Sequence, residues 1–283
     1  MKKYDLVVIG AGPSGYAAAM RALDFKKKIL LVEKDKVGGA GVTNGALSSK
    51  TWWELSRDVA AFRRNLKKFK MNVPDISYRE IQQEVRNAIE ERKSMLVGHM
   101  VQMQTSRHAD LLTFRKGTAR LLSQNEVEIT TDDGKDVVWA DYIVLATGSR
   151  PRYLPEWPID EKIIMTSDGI ENMDDFPESM VIVGAGLIGC EFATIFSAFG
   201  KTKVHLIDKG DRILPFEDED VVKVIERNME SSGILIHRNS HLTRIEIKNG
   251  RVEYELEYND GRKEKFNVEK ALVAVGRTPN FEG

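Results

Sequence analysis

The amino-acid sequence predicts an α/β chain built from two Rossmann-like three-layer dinucleotide-binding domains. The pattern Gly-x-Gly-x-x-Gly occurs twice, from Gly10 to Gly15 and from Gly184 to Gly189, 174 residues apart. Each copy follows a run of branched aliphatic residues, opens a stretch with helical spacing, and precedes a second apolar run that ends in an acid, Glu33 or Asp208. One copy alone arises by chance in glycine-rich loops, whereas two copies in the same strand–turn–helix–strand–acid context indicate two bound dinucleotides.

Each part of this fingerprint has a physical reason. The first glycine permits a tight turn, the second lets the backbone approach a pyrophosphate, and the third lets the helix pack closely on the strand. The acid accepts hydrogen bonds from the ribose hydroxyls. The candidate binding residues are Gly10, Gly12, Pro13, Ser14, Gly15, Glu33 and Lys34 in the first copy, and Gly184, Gly186, Leu187, Ile188, Gly189 and Asp208 in the second.

The first half of the chain is predicted to continue with helices and then strands. Apolar periodicity predicts two long amphipathic helices separated by Asn72-Val73-Pro74-Asp75. Short strands follow around the hairpin Asp132-Asp133-Gly134, and then a buried strand of the parallel type. The predicted ranges are, in order, strand–helix–strand over 4–33, helices over about 49–70 and 78–106, short strands over 111–139, and the buried strand over 142–146.

The second half is predicted to open with a crossover and a new strand–helix–strand unit. Three prolines fall between Pro151 and Pro158, which is typical of a connection between domains. After the second fingerprint the sequence predicts a helix and three further strands, two of them joined through Asn249-Gly250. Their predicted ranges are 218–231, about 241–247, 252–258 and 271–275.

Composition bounds the possible partners. The net charge is −1 with 30% charged residues, which gives no indication of binding to nucleic acid or an anionic membrane. No apolar run approaches the roughly 20 residues of a membrane span, and the amino terminus enters the first strand without room for a signal peptide. One cysteine, Cys190, excludes an intrachain disulfide. The five histidines show no metal-ligand spacing, so we expect a soluble cytoplasmic enzyme without a metal.

Four further motifs carry a resemblance to a known family. They are Gly38-Gly39 with Gly45 and Ser49-Lys50, then Ala146-Thr147-Gly148-Ser149-Arg150-Pro151, then Ile188-Gly189-Cys190-Glu191-Phe192-Ala193, and last Val275-Gly276-Arg277-Thr278-Pro279-Asn280. With these motifs the whole chain resembles the pyridine nucleotide–disulfide oxidoreductases, which include dihydrolipoamide dehydrogenase, glutathione reductase and soluble pyridine nucleotide transhydrogenase.

The resemblance implies two cofactors and a domain plan. FAD is expected at the first fingerprint and NAD(P)H at the second. The implied domains are an incomplete FAD-binding domain over 1–149, an NAD(P)-binding domain over 150–275, and the start of a return into the FAD domain over 276–283. The family pattern adds Gly38, Gly39, Lys50, Thr147, Gly148, Glu191 and Gly276 to the cofactor-binding residues.

The sequence departs from the family where its redox disulfide would lie. The two cysteines would fall at Gly41 and Ala46, and neither position holds a thiol. Because dithiol chemistry needs two thiols close together, reduction of a disulfide substrate through a protein dithiol is excluded.

A second departure is length. Family members continue with a Gly-Asp segment that contacts FAD, and then with a dimerisation domain that supplies a His–Glu pair to the partner's active site. Neither is present, and the end just after Pro279-Asn280 favours a fragment over a shortened relative. We therefore expect this chain to be a monomer that retains little flavin while its NAD half stays folded.

Lys50 and Glu191 are the candidate catalytic residues. Glu191 falls at the edge of the buried face of the second fingerprint helix, where an unpaired carboxylate is costly. The family pattern pairs it with Lys50, which reaches the flavin N5 region. Asp208 repels a 2′-phosphate and so favours NAD(H) over NADP(H), although Lys209 and Arg212 lie near enough in sequence to soften that repulsion.

Three functions remain open. The leading one is FAD-dependent hydride transfer from NAD(P)H to flavin, with a second nicotinamide nucleotide as acceptor, as in a soluble transhydrogenase. The alternative enzyme is a diaphorase-like NADH dehydrogenase related to dihydrolipoamide dehydrogenase but without dithiol chemistry. The third is a non-catalytic nucleotide-binding fragment. All three have small-molecule nucleotides as partners.

Overall fold

The computed structural model describes residues 1–72, 74–105 and 108–282. These residues form two compact units, the first from residues 1–48, 86–150 and 279 onward, the second from residues 49–85 and 151–278. Each unit contains a parallel sheet built around one fingerprint, which confirms the predicted α/β class.

The first half of the chain contains seven strands and four helices among the described residues. They are β1 (Lys2–Ile9), α1 (Pro13–Asp24), β2 (Ile29–Glu33), α2 (Gly39–Val42), α3 (Ala46–Lys68), α4 (Tyr78–Thr105), β3 (Leu112–Lys116), β4 (Thr118–Leu121), β5 (Glu126–Thr131), β6 (Gly134–Leu145) and β7 (Ser149–Pro151).

The sheet of the first unit has the strand order β3-β2-β1-β6-β5-β4. β1 is central and pairs in parallel with β2 and β6, whereas β4, β5 and the start of β6 pair antiparallel. One face packs Val8, Leu31 and Ile29 with Ala19 of α1 and Met100 of α4. On the other face, side chains of the parallel strands pack with side chains of the antiparallel strands: Val7, Leu30, Val127, Ile129 and Val138.

The strand predicted over 142–146 is the second half of the longer strand β6. Its parallel pairing with β1 agrees with the prediction, but its burial does not, because Tyr142 is 75% and Leu145 is 62% exposed. β5 pairs with β6 only as far as Trp139. Beyond that residue β6 is a sheet edge in the described part of the chain, and a parallel-type sequence is not buried at an edge that nothing covers.

The second half of the chain supplies the rest of the second unit. Its elements are β8 (Ile164–Met165), a 3₁₀ turn (Ile170–Asn172), β9 (Ser179–Val183), α5 (Leu187–Phe199), β10 (Lys203–Ile207), α6 (Glu219–Ser231), β11 (Leu235–His237), β12 (Ser240–Lys248), β13 (Arg251–Tyr258), β14 (Lys263–Val268), β15 (Lys270–Val273) and β16 (Arg277–Pro279).

Two sheets form the core of the second unit. A parallel sheet has the order β11-β10-β9-β15-β8, and an antiparallel sheet has the order β12-β13-β14. Val181, Val183 and Ile207 of the parallel sheet pack with Tyr254 and Leu256 of β13. α5 follows β9 directly and buries one side, including Phe192, Ile195, Phe196 and Phe199.

Residues 49–85 pack within the second unit. Trp52 is buried with its ring centroid 5.2 Å from Tyr78 and 6.1 Å from Phe199. The Tyr78 hydroxyl donates to the Ile170 carbonyl at 2.6 Å, and the Arg63 guanidinium donates to the Phe199 carbonyl at the end of α5. The predicted boundary at residue 149 placed residues 49–85 with the first domain. In the structure, Trp52, Tyr78 and Arg63 of this segment pack in the second unit.

Helix boundaries differ from the predictions by a few residues, and each difference has a local cause. α3 begins directly after Gly45 and ends where Lys70 adopts a left-handed φ of 56° and Met71 N–H donates to Leu66. α6 begins one residue later than predicted because Asp218 is its N-cap and accepts from two backbone amides. The predicted end of α4 at residue 106, and Val73 within the predicted break, lie outside the described residues.

A pair of histidines, of which His205 is buried and His237 half-buried, links the two sheets of the second unit. The His205 and His237 rings are stacked with centroids 5.3 Å apart, and Nδ1 of His205 lies 3.1 Å from Nε2 of His237. The Tyr254 hydroxyl lies 3.2 Å from His205 Nδ1, and the Tyr258 hydroxyl 2.8 Å from His237 Nδ1. Burial lowers the pKa of His205 to about 4, and burial also lowers the pKa of His237.

This pair predicts that the free energy of unfolding of the chain decreases as the pH is lowered. The folded chain holds the His205 ring neutral down to about pH 4, while the unfolded chain protonates it near its ordinary pKa of about 6.5. The unfolded state therefore binds more protons as pH falls from about 6.5 to 4, and the free energy of unfolding decreases by at most about 1.4 kcal/mol per pH unit for each ring. We expect His205→Gln to reduce this slope in urea unfolding measured between pH 7 and pH 5.

The control is His241→Gln, which removes an exposed histidine on β12. It should leave the slope as in the wild-type chain. Equal slopes for all three proteins would contradict the assignment to this pair.

Candidate functional site

The two fingerprints form two separate loops of the same conformation. Gly10 and Gly184 have φ values of +104° and +102°. A Cβ on Gly10 would lie 2.2 Å from the Ala146 carbonyl oxygen, and one on Gly184 would lie 2.5 Å from the Ala274 carbonyl oxygen. In both copies the carbonyl belongs to the residue that follows the neighbouring parallel strand, so the predicted tight turn is a close approach of two backbones.

The third and second glycines have opposite surroundings. A Cβ on Gly15 or Gly189 would lie 1.9 Å from the carbonyl oxygen of the first glycine in the same loop. The third glycine thus serves the closure of the loop itself, a tighter requirement than the predicted helix-on-strand contact. A Cβ on Gly12 or Gly186 would meet no described atom within 4 Å. The middle glycine therefore borders open space at the start of the helix.

The helices that follow these loops are suited to an anion. α1 and α5 both begin at an N-cap glycine that offers no side-chain cap, and neither has an acidic residue in its first turn. First-turn amides and the helix dipole favour a phosphate at such an end. Pro13 is the first residue of α1 and carries no amide hydrogen, so Ser14 and Gly15 supply the amides there. Leu187 and Ile188 open α5, where Leu187 is 68% exposed.

The two acids close the loops in the same way from different positions. Glu33 accepts from Ala11 N–H at 2.7 Å and from Asp35 N–H at 2.8 Å. Asp208 accepts from Ala185 N–H at 2.7 Å and from Gly210 N–H at 2.8 Å. Glutamate is one methylene longer than aspartate, and it lies one residue earlier relative to its fingerprint.

This arrangement gives the acids a second role that the sequence did not indicate. Each carboxylate oxygen accepts one backbone amide and retains a second acceptor site. The acid is therefore held in place by the loop that it closes, with acceptor capacity left for hydroxyl groups. The contact to Ala11 or Ala185 is the part that sequence reasoning missed, because spacing alone does not say which amide a carboxylate reaches.

The first unit has a cleft of about 410 Å³ beside its fingerprint. Five predicted residues line it: Gly10, Gly12, Glu33, Lys34 and Thr147. Gly38 and Gly39 lie against the same loop, since Gly38 N–H donates to Ala11 at 2.8 Å and a Cβ on Gly39 would lie 3.2 Å from the Gly12 Cα. Gly148 follows the lining residue Thr147, and its carbonyl accepts from Asn280 N–H at 2.9 Å.

Among the lining residues that were not predicted, Arg150, Asn280 and Glu282 are joined by hydrogen bonds and an ion pair, and we call these three residues the clamp. Arg150 donates to Asn280 Oδ1 at 2.7 Å and forms a forked ion pair with Glu282 at 2.5 and 3.0 Å. The Arg150 guanidinium lowers the pKa of the Glu282 carboxyl to about 2. Asn280 also bonds Thr147 through its side-chain amide at 3.0 Å and through its carbonyl, which accepts from the Thr147 hydroxyl at 2.5 Å.

The clamp joins residues that are far apart in sequence. Arg150 and Asn280 both belong to motifs that the sequence analysis had quoted, so their motifs were a usable signal. Nothing in the sequence indicated Glu282 as the ion-pair partner, because a single acid 132 residues away from Arg150 carries no pattern.

The loop at 38–50 has no space for the family's first thiol. A Cβ on Gly41 would lie 2.5 Å from Cγ of Pro13. Ala46 is the first residue of α3. Cys190 is buried in α5 with its thiol 3.4 Å from the Ala185 carbonyl, and burial raises its pKa to about 12. The single thiol of the chain is therefore held protonated and away from solvent.

Lys50 and Glu191 form the predicted ion pair within the second unit. Lys50 Nζ lies 2.5 Å from Glu191 Oε1, and the two side chains are 63% and 25% exposed. The partner that Glu191 requires at the edge of the buried face of α5 is present. The catalytic role of the pair stays a prediction.

Gly276 lies between β15 and β16, directly before the first residue of β16. It has a φ of +106°, and its carbonyl accepts from Arg152 N–H at 2.9 Å. Within the described part of the chain, no group of three histidine, cysteine or acidic residues is arranged to hold a metal ion. No helix of the described residues is both long and apolar enough to cross a membrane.

The sequence profile described as pyridine nucleotide-disulphide oxidoreductase matches residues 4–283. A dihydrolipoyl dehydrogenase from Bacillus subtilis is 32% identical over 98% of this chain and 59% of its own length. A soluble pyridine nucleotide transhydrogenase from Hahella chejuensis is 34% identical over 84% of this chain and 50% of its own length. The chain thus spans about 50–60% of the length of these curated relatives.

Solved structures share the fold. LpdA from Mycobacterium tuberculosis superposes with a TM-score of 0.85 at 23% identity, covering 100% of this chain and 60% of that one. The HOCl-induced flavoprotein disulfide reductase RclA from Escherichia coli gives a TM-score of 0.79 at 21% identity, covering 98% of this chain and 57% of that one. At these identities the likeness concerns architecture.

The glycine geometry predicts two opposite responses to one added methyl group. Gly189→Ala would place its Cβ 1.9 Å from the Gly184 carbonyl oxygen, and we expect a loss of about 3 kcal/mol or more in the free energy of unfolding. Gly186→Ala has open space and an extended φ of −79° with ψ of −170°, and we expect a change within about 0.5 kcal/mol. Urea unfolding of the two variants tests this, with Gly15→Ala and Gly12→Ala as the matched pair in the first unit. Equal losses within either pair would refute the assignment.

Proposed function

The chain belongs to the pyridine nucleotide-disulphide oxidoreductase family, and on that premise we propose that it binds FAD in the first unit and a nicotinamide dinucleotide in the second and transfers hydride between them. We propose further that a second nicotinamide nucleotide accepts the electrons, as in a soluble transhydrogenase. Its partners are then small-molecule nucleotides.

The repeated loop carries this proposal. In both units a positive-φ glycine, an open middle glycine, an uncapped helix end and an acid bonded to the loop recur in the same order. That set fits a pyrophosphate with an adjoining ribose. The first unit adds a cleft of about 410 Å³, and FAD would lie along Gly10, Gly12, Glu33 and Thr147. The nicotinamide dinucleotide would lie along Gly184, Gly186 and Asp208.

When bound, the two cofactors supply hydride transfer between nicotinamide C4 and flavin N5. The protein supplies orientation and charge. We propose that Glu191 holds the Lys50 ammonium at a fixed position, at the 2.5 Å separation of the pair, where its charge stabilises electron density on the flavin. The partly exposed Lys50 side chain leaves donor capacity for a ligand, since an ammonium has three N–H groups.

The absence of a dithiol argues against a disulfide as the acceptor. Glycine and alanine stand at positions 41 and 46, and the one cysteine of the chain is buried and protonated. Electrons therefore cannot pass through a protein dithiol to a disulfide substrate, although dihydrolipoyl dehydrogenases are among the relatives. The acceptor must approach the flavin directly, and a second nicotinamide nucleotide can use the site already present for the first.

One feature of this proposal favours a second candidate. In the proposed site Asp208 would bind the adenosine ribose, and a carboxylate there disfavours the 2′-phosphate of NADP(H), which transhydrogenation requires. A diaphorase-like NADH dehydrogenase that reduces a quinone or a dye needs no NADP(H). A non-catalytic nucleotide-binding chain remains the alternative from a different class.

The proposal predicts a flavin spectrum and hydride transfer to a nicotinamide acceptor. The chain, purified and reconstituted with FAD, should show protein-bound flavin absorbance and should reduce thio-NADP⁺ with NADH. Glu191→Gln should lower the rate about tenfold or more by releasing the Lys50 ammonium, while Lys223→Met, in an exposed ion pair of α6, should not. Turnover with quinones but not with thio-NADP⁺ would support the diaphorase, and bound nucleotide without turnover would support the non-catalytic alternative.

The coenzyme preference is tested at Asp208. We expect NADH to bind the second site more tightly than NADPH by about 1–3 kcal/mol, from charge repulsion and lost hydrogen bonds. Asp208→Asn keeps one acceptor for the Ala185 amide and removes the charge. It should therefore strengthen NADPH binding and reduce the difference in affinity between NADH and NADPH. Lys209→Ala is the control for the neighbouring charge. Equal affinities in the wild-type chain would rule out Asp208 as the discriminating group.

A further inference from the structure

Phe216 is 98% exposed, more than any other large apolar side chain in the part of the chain that the structure describes. A single exposed aromatic residue is ordinary on a protein surface, so its exposure alone does not indicate a ligand. The position of Phe216 in the chain does indicate one. It lies in the loop between the ribose acid Asp208 and the helix α6, the segment that leaves the second nucleotide site. We propose that the Phe216 ring covers the adenine base of the dinucleotide bound there, an inference that rests on the proposed function.

The loop is tied to the fingerprint at a defined point. Leu214 N–H donates to the Ala185 carbonyl at 2.8 Å, and Ala185 N–H donates to Asp208 at 2.7 Å. Ala185 therefore connects the acid and the loop through its two backbone groups. Phe216 follows Leu214 by two peptide steps, which place its Cα within about 7.6 Å of the Leu214 Cα.

Burial and backbone hydrogen bonds also define the conformation of the loop at this point. Leu214 adopts a left-handed φ of +47°, which costs a leucine about 1 kcal/mol or more. The burial of Ile213 and Leu214 holds that conformation. The Glu217 amide donates to the Leu214 carbonyl at 3.0 Å, closing a turn around Pro215 and Phe216. The turn projects an aromatic ring into solvent from an anchored base.

Arg212 braces the same turn. Its guanidinium donates to the Pro215 carbonyl at 2.7 Å. Arg212 lies near enough to Asp208 in sequence to soften the repulsion of a 2′-phosphate. The hydrogen bond to Pro215 directs part of that guanidinium to the loop that carries Phe216. Arg212 is thus a positioning residue for the turn.

The chemistry of adenosine identifies the adenine base as the part of the ligand that the Phe216 ring would contact. The hydroxyls that Asp208 is placed to bind and the adenine base are substituents of one furanose ring, so a group held at Asp208 brings the base next to it. The pyrophosphate is directed to the uncapped end of α5, which leaves the base on the side of the loop that follows Asp208. An aromatic face stacks on a purine, and such contacts contribute about 1–3 kcal/mol per base.

The test compares ligands with and without the base on the FAD-loaded chain, where the first site is filled. ADP-ribose carries adenine, whereas reduced nicotinamide mononucleotide lacks it. By calorimetry we expect Phe216→Ala to weaken ADP-ribose about tenfold and to leave reduced nicotinamide mononucleotide unchanged. Phe216→Trp should restore ADP-ribose binding, with quenching of the new tryptophan by the stacked base. The control is Phe69→Ala, at a residue 68% exposed, which should match the wild-type chain.

The outcomes separate this inference from the proposed function. ADP-ribose that binds wild type and Phe216→Ala equally well would overturn the inference and leave the proposed function standing. Equal loss of both ligands in Phe216→Ala would also overturn it, because the effect would then be on the loop and not on the base. A wild-type chain that binds neither ligand would remove the proposed function and the inference together.

Discussion

The hydrogen bond from the fingerprint amide to the acid at the end of the next strand organises each half of this protein. In the first unit it joins Ala11 to Glu33, and in the second it joins Ala185 to Asp208, both at 2.7 Å. It brings together the end of one strand, the start of a helix and the end of a second strand. With these three elements held, the middle glycine borders open space at an uncapped helix end. The proposed nucleotide site in each unit is a consequence of that closure.

Residues outside the fingerprints differ between the two units and surround this common loop arrangement in each. In the first unit the Arg150 clamp and Asn280 complete the wall of the cleft around Thr147. In the second, α3 contributes Lys50 to the ion pair with Glu191, while Trp52 and Arg63 fasten α3 to the far end of α5. One helix therefore both places the charged group and anchors the element that carries its partner.

Local patterns were sufficient for most of the fold. The two fingerprints, the apolar runs and the proline-rich crossover predicted the α/β class, and the Lys50–Glu191 pair followed from the family motifs. What sequence reasoning missed depends on contacts between distant segments. The exposure of Tyr142 depends on whether another strand covers the edge of β6, and the pairing of Arg150 with Glu282 depends on where the chain returns. The packing of residues 49–85 with the second unit depends on aromatic contacts that no periodicity records.

The one-residue offset between Glu33 and Asp208 has a consequence for engineering and for comparing sequences. Side-chain length and backbone register compensate each other, so the carboxylate reaches the same amide in both halves although the two acids do not align. Exchanging aspartate and glutamate alone, usually counted as the mildest of substitutions, would move the carboxylate by a full methylene and open the loop. A chimera that transplants one half's loop into the other must therefore carry the acid together with its own strand end.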